Sequence, residues 1–228
     1  MGTQGVKRTA TSPDWGSLRR VTPISNDFGL DRGRPVDRYY IENFLDANRR
    51  DIRGRVLEIL SDDYTKRFGA GVTRSDVLHP VPGNPNASIV GDLGTGVGVP
   101  KDQFDCIICT QTLHLIYDLR TAVLTLRNAL APGGVLLATL PTITQVSRYD
   151  ADRWGDYWRL TSLAARRLFG EFFEDLQVTS FGNVLSATAF LQGITVSELT
   201  AAELDHVDRD YEMIVCVRGV RKSERQPS

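Results

Sequence analysis

The sequence predicts an α/β domain built on a doubly wound, largely parallel sheet. Three observations carry that prediction. From residue 36 onward, apolar runs of strand length alternate with segments of helical periodicity. The run Phe104-Asp-Cys-Ile-Ile-Cys-Thr110 is apolar enough to be a strand covered on both faces. A helical pattern ends at Pro132-Gly133-Gly134, with a new apolar run directly behind it. At 228 residues, one domain with extensions is expected, since domains run to ~150 residues.

Residues 1–35 are rich in Gly, Pro, Ser, Thr and Arg without apolar periodicity, and are expected to form a mobile leader with some order near Phe28 and Leu30. The domain proper is expected over 36–220, with a tail at 221–228. Tyr40, Ile41, Phe44 and Leu45 recur at helical spacing and predict a helix from Val36 to Ala47. Arg55-Val-Leu-Glu-Ile59 is the first strand, and Tyr64 to Phe68 a brief helix stopped by Gly69 and Gly71. Val72 to Leu78 and Ala87 to Val90 are weaker strands, and Phe104 to Thr110 is the fourth. Leu119, Val123, Leu124, Leu126 and Leu130 mark a helix; Val135 to Leu140 is a strand closed by Pro141. Leu160 to Phe169, Val184 to Leu191 and Ser197 to Leu204 read as helices, with strands at Leu176 to Ser180 and Glu212 to Val217.

Composition narrows the function classes. Hydrophobic residues at 41% and charged residues at 24% are globular proportions and exclude a wholly disordered, collagen-like or coiled-coil chain. With 27 basic against 28 acidic residues, the chain has no global attraction to nucleic acid or anionic lipid. No apolar run of ~18 residues is present to span a membrane. The first twenty residues lack a signal-peptide core, and Val6 breaks the myristoylation pattern, so a cytoplasmic location is expected. Cys106 and Cys109 have CxxC spacing, but strand residues three apart face opposite ways, so no metal is expected.

In a doubly wound sheet, ligands bind beyond the carboxyl ends of the strands. The strand ends here offer Glu58, Asp76, Asp92 and Thr110-Gln111. Glu58 and Asp76 are eighteen positions apart, close to the ~20 of an acid that grips ribose hydroxyls in a βαβ unit. Such acids also serve as helix caps. A dinucleotide site is excluded because Ile59-Leu-Ser-Asp-Asp-Tyr64 has no glycine and two carboxylates where a pyrophosphate would sit. Gly94-Thr-Gly-Val-Gly98 follows the wrong strand and has Val99 at the third glycine position.

Taken together, these segments resemble a class I S-adenosylmethionine-dependent methyltransferase of the small methyltransferase-domain type. The resemblance rests on Gly54-Arg-Val-Leu-Glu-Ile59, Gly91-Asp92-Leu93, the stretch from Phe104 to His114 and, most specifically, Leu130-Ala-Pro-Gly-Gly-Val-Leu-Leu137. It implies a Rossmann-like, seven-stranded sheet whose last strand is antiparallel, and S-adenosylmethionine as cofactor. By resemblance, Glu58 lies near the methionine end, Asp76 binds the ribose, Asp92 and Leu93 flank the adenine, and Thr110 and Gln111 line the floor. The resemblance breaks at the first motif, where Leu60 and Asp62 replace two glycines. That departure keeps open a methyltransferase fold without methyl transfer, serving as a binding or assembly protein or a repurposed enzyme.

The acceptor expected is a small molecule or glycan methylated at oxygen, with no nucleic-acid or membrane partner. A hydroxyl acceptor needs a base, and His114, just past the fourth strand, is the best-placed histidine; alternatively it packs in a helical turn. The stretch Arg148 to Arg159 holds two Trp, two Tyr, three Arg and three Asp, which suits either a sugar platform or a lid over the sheet. Tyr39 and Tyr40 either close the cofactor pocket or anchor the first helix.

Overall fold

A computed structural model describes residues 14–221. Seven strands form one sheet: β1 (Gly54–Ile59), β2 (Val72–His79), β3 (Ile89–Val90), β4 (Phe104–Thr110), β5 (Leu130–Pro141), β6 (Glu174–Phe181) and β7 (Ile214–Val220). Their order is β3-β2-β1-β4-β5-β7-β6, with β7 antiparallel to both its neighbours and the other pairs parallel. The order reverses between β1 and β4, so the crevice for a ligand opens at the carboxyl ends of those two strands.

Alternation along the strands divides the core in two. On β4, Ile107 and Cys109 face one cluster while Cys106 and Ile108 face the other. The first cluster is covered by α3 (Leu119–Ala129) and α5 (Ser162–Gly170), through Val123, Leu126 and Phe169. The second is covered by α1 (Val36–Ala47) and α6 (Val184–Gln192), through Ile41, Leu45 and Phe190, with α2 (Asp63–Phe68) contributing Phe68. The CxxC pair is therefore split across the sheet, and burial pushes both thiols up, Cys109 to about 12.

The short elements complete the frame: α4 (Arg148–Ala151) lies between β5 and α5, and α7 (Ala201–Asp205) between α6 and β7. Several boundaries differ from expectation. β2 runs on to His79, so its end is His79 and not Asp76, which pairs with Leu57 inside the strand. Helix α3 stops at Ala129, capped at its start by Asp118 Oδ1 accepting from Thr121 N at 3.0 Å. β5 begins immediately with Leu130, and residues 131–134 bulge between the Phe104–Leu130 and Cys106–Val135 pairs. Gly134 permits this bulge, since a Cβ there would stand 2.7 Å from the Phe104 carbonyl.

The leader is packed where it is described. Ile24 N and Ser25 N donate to Gln192 O, Phe28 stacks on Phe190 at 5.8 Å, and Arg32 pairs with Glu198 at 2.8 Å. Residues 1–13 of the expected leader, and 222–228 of the expected tail, lie outside the described residues. Among the described residues, no helix is long and apolar enough to cross a membrane, and no His/Cys/Asp/Glu group could hold a metal ion.

Candidate active site

Two adjoining cavities open at the switch point. The larger, about 510 Å³, lies between the start of α1, the β1–α2 loop and the segment after β5; the smaller, about 350 Å³, lies over the loop after β3. Ile59, Leu60, Leu115 and Asp150 line both. Each volume suits a small-molecule ligand.

Glu58, Thr110, Gln111 and His114 line the larger cavity, and Asp92 and Leu93 the smaller. Asp76 lines neither. It is 1% exposed, and its carboxylate binds Arg55 Nε at 2.7 Å, Arg74 Nε at 3.0 Å and Ser88 Oγ at 2.9 Å. Burial works to raise that carboxyl, but the two guanidiniums and the hydroxyl outweigh it and hold it below its ordinary value. The sequence spacing placed Asp76 at a strand end; the three further residues of β2 put His79 and Pro80 there instead.

Glu58 sits beneath the first turn of α2 and accepts from Thr65 N and Thr65 Oγ1, both at 2.8 Å, and from Tyr64 N at 3.2 Å. Burial nevertheless pushes its carboxyl up to about 7. His114 is 7% exposed in the turn after β4; burial pushes its imidazole down to about 4, and its Nδ1 has no hydrogen-bond partner. Asp92 closes its own turn, accepting from Gly94 N at 2.7 Å and Thr95 Oγ1 at 2.8 Å while facing the smaller cavity.

Leu60 is the most strongly left-handed of three non-glycine wall residues with positive φ, the others being Phe28 and Gln111. Its φ is +73°, the left-handed region that a leucine adopts only at a cost of roughly 1–2 kcal/mol. Its N–H donates to Leu78 O at 3.0 Å and its carbonyl accepts from Asn84 Nδ2 at 2.8 Å, which lock the conformation. The loop thus follows a glycine-type path with a side chain on it.

The aromatic segment covers the smaller cavity. Trp154 and Tyr157 line that cavity, Trp154 meets His79 edge-on at 6.0 Å, and Tyr157 N donates to His114 O at 2.9 Å. Tyr39 and Tyr40 line neither cavity; their hydroxyls donate to Asp205 Oδ1 at 2.6 Å and Leu204 O at 2.9 Å and tie α1 to α7. Sequence reasoning missed Asp37 and Arg38 as wall residues of the larger cavity. Asp37 is 8% exposed, its Oδ2 meets Arg38 at 3.2 Å and its Oδ1 has no partner. An acid and a base in the first turn of an amphipathic helix gave no sign of that burial.

A profile of the family described as "Methyltransferase domain" matches residues 39–178, more than half of the chain. The chain belongs to this family. The methyltransferase is similar in fold to the N-methyltransferase NodS from Bradyrhizobium japonicum WM9, solved in complex with S-adenosyl-l-homocysteine, at 15% identity over 87% of this chain and 94% of that one, with a TM-score of 0.53. It is likewise similar to an S-adenosylmethionine-dependent methyltransferase from Mesorhizobium loti (18% identity, 84% and 100% covered, TM-score 0.51). A third, from Archaeoglobus fulgidus, has 10% identity, 81% and 94% covered, and a TM-score of 0.52. No curated protein matches the chain.

S-adenosylmethionine is the cofactor of this family. The groove of this methyltransferase fits it at two ends: an apolar cavity walled by Leu93, Ile116 and Trp154 for a purine, and an acid-lined cavity containing Arg38 for a charged amino-acid group. The unpartnered Asp37 oxygen leaves an acceptor there for an ammonium. No free carboxylate stands at the end of β2 between them, because Asp76 is used inside the sheet.

Proposed function

We propose that this methyltransferase moves the methyl group of S-adenosylmethionine to a small molecule held in the larger cavity. The observation that carries the reading is the shared wall: Ile59, Leu60, Leu115 and Asp150 border both cavities, so one ligand can lie across them with its middle beside the second. Asp92 and Leu93 would hold the adenine, and Glu58, Asp63 and Arg38 the amino-acid end, above a floor of Thr110 and Gln111. When bound, S-adenosylmethionine supplies an electrophilic methyl carbon on a sulfonium. The chain's own contribution is alignment and exclusion of water, which Trp154 and Tyr157 support from above.

A hydroxyl acceptor with His114 as base is weakened by the burial of that residue, because an imidazole pushed down to about 4 is a poor base at neutral pH. The sugar-platform role of the Arg148–Arg159 aromatics has less support, because Trp154 and Tyr157 line the smaller cavity and not the larger.

Calorimetric titration of the protein with S-adenosylmethionine and with S-adenosylhomocysteine tests the proposal. Micromolar binding of either, weakened by Trp154→Ala, is the expected result. Absence of heat together with an unchanged melting temperature would overturn it.

A further inference from the structure

The larger cavity carries more negative charge than its own ion pairs consume. Glu42 is held by Arg34 at 2.5 Å and Arg67 at 2.8 Å, Asp156 by Arg159 at 2.5 Å, and Asp37 by Arg38 at 3.2 Å. Asp63 and Asp150 also line the cavity, and neither has a cation partner among the described residues, whereas Glu58, pushed up to about 7 by burial, is partly protonated and adds less charge. His114, on the same wall, adds no positive charge, since burial keeps its imidazole neutral at physiological pH.

These surplus acids come from two places in the chain. Asp63 opens α2 directly after the β1–α2 loop, where the ammonium of the cofactor's amino-acid end would be answered. Asp150 comes from α4 and lines both cavities, and among the described residues its carboxylate accepts from Ser147 alone, whose Oγ meets its Oδ2 at 2.6 Å. A carboxylate at that junction with only a hydroxyl for company favours a cation beside it. The unpartnered, buried Nδ1 of His114 is a second polar group in the same wall with no use inside the protein.

We propose that the acceptor is a small cationic amine whose ammonium is held by the Asp150 carboxylate and faces His114 on the same cavity wall. An ammonium offers three donors to such a wall, whereas an alcohol offers one donor and leaves the carboxylate's charge unanswered. In the transfer, the ammonium first loses one proton to water. Its lone pair then forms the N–C bond to the methyl carbon as the S–C bonding pair returns to sulfur, leaving a thioether and the methylated ammonium. This inference rests on the methyl-transfer reading above.

The test uses the full chain saturated with S-adenosylhomocysteine, titrated with benzylamine and with benzyl alcohol at neutral pH. Benzylamine is expected to bind about tenfold tighter or more, a difference of roughly 1.4 kcal/mol. Asp150→Asn is expected to abolish that preference and Asp150→Glu to restore it, with the melting curve of each variant reporting its folding. Equal binding of the alcohol, an amine preference indifferent to Asp150→Asn, or no amine binding to a complex that does hold S-adenosylhomocysteine would each overturn the assignment. Failure of the first titration, before any amine is added, would instead strike the methyl-transfer reading itself.

Discussion

The two halves of the groove arise from neighbouring strand ends yet offer opposite environments. Over β1 and the start of α1, the wall is carboxylates: Asp37, Glu58, Asp63 and, from α4, Asp150. Over the loop after β3, it is Leu78, Leu93, Ile116 and the rings of Trp154 and Tyr157, and apart from the shared Asp150 its acids are used locally: Asp92 in its own turn and Asp118 as the α3 cap. The sheet fixes where a ligand lies, while the few residues after each strand decide what it can be. Asp76 shows the converse, an acid held in the sheet and withdrawn from the groove.

The largest expected effect tests that last contrast. Asp76→Ala leaves Arg55 and Arg74 without their shared carboxylate and should destabilise the fold by on the order of 3 kcal/mol, since it opens a buried pair. The melting temperature should fall by about 10 °C. Affinity of the folded variant for S-adenosylhomocysteine should stay within about twofold of wild type, because the residue lines neither cavity. A large loss of affinity with little loss of stability would reinstate Asp76 as a ligand-binding acid.

A comparable effect is expected from the two titrating groups of the acidic half, with opposite signs. Burial pushes Glu58 up from 4.5 to about 7, so the folded state holds a proton that the unfolded chain has lost. Its contribution is full below about pH 4.5 and is lost as pH rises to 7, by about 3 kcal/mol. His114, pushed down from 6.5 to about 4, contributes fully above about pH 6.5 and loses a similar amount as pH falls to 4. Burial raises Asp37 as well, in the same direction as Glu58. Between about pH 4.5 and 6.5 the slopes oppose one another. Urea unfolding across that window should show Glu58→Gln gaining stability with rising pH relative to wild type, and His114→Asn losing it. Parallel curves for all three proteins would mean that neither group is desolvated as the geometry requires.

Much of the fold was legible in the sequence because buried strands and amphipathic helices announce themselves by period: strand Phe104–Thr110 and helix Val36–Ala47 have the bounds that periodicity predicts. The strand ends were less legible. β2 reads poorly through Thr73-Arg74-Ser75, since its polar residues lie towards the edge and Asp76 is neutralised by arginines from two strands, a pairing that no local pattern reveals. Glu58, Thr110 and Gln111 reach the groove because they end or directly follow strands of clear pattern, Asp92 and Leu93 because they follow the short β3, and His114 through the turn after β4. Asp37, Arg38 and Asp150 reach it through helix docking and the fold of the segment after β5, which depend on tertiary packing.

In the apolar half, a smaller effect is expected at Trp154. Trp154→Ala removes a ring from the wall of the smaller cavity and from its edge contact with His79. Affinity for S-adenosylhomocysteine should drop about tenfold. Because Trp154 does not line the larger cavity, the preference for benzylamine over benzyl alcohol in the saturated complex should survive. Loss of both together would show that the halves are one site without separate chemistry.

Leu60 stands where the halves meet, and its substitution should have the smallest effect and the most particular sign. Glycine adopts φ +73° without strain, so Leu60→Gly should stabilise the protein by about 1 kcal/mol, a rise of roughly 2–4 °C in melting temperature. The leucine is 47% exposed, so little burial is lost in exchange. Leu60→Ala keeps the Cβ responsible for the strain and should bring no such gain. With the side chain gone the wall between the cavities is lower, and S-adenosylhomocysteine should bind Leu60→Gly more tightly than wild type. If Leu60→Gly is instead less stable and binds more weakly, then the side chain's contacts outweigh its backbone strain, and the leucine is a wall that both halves need.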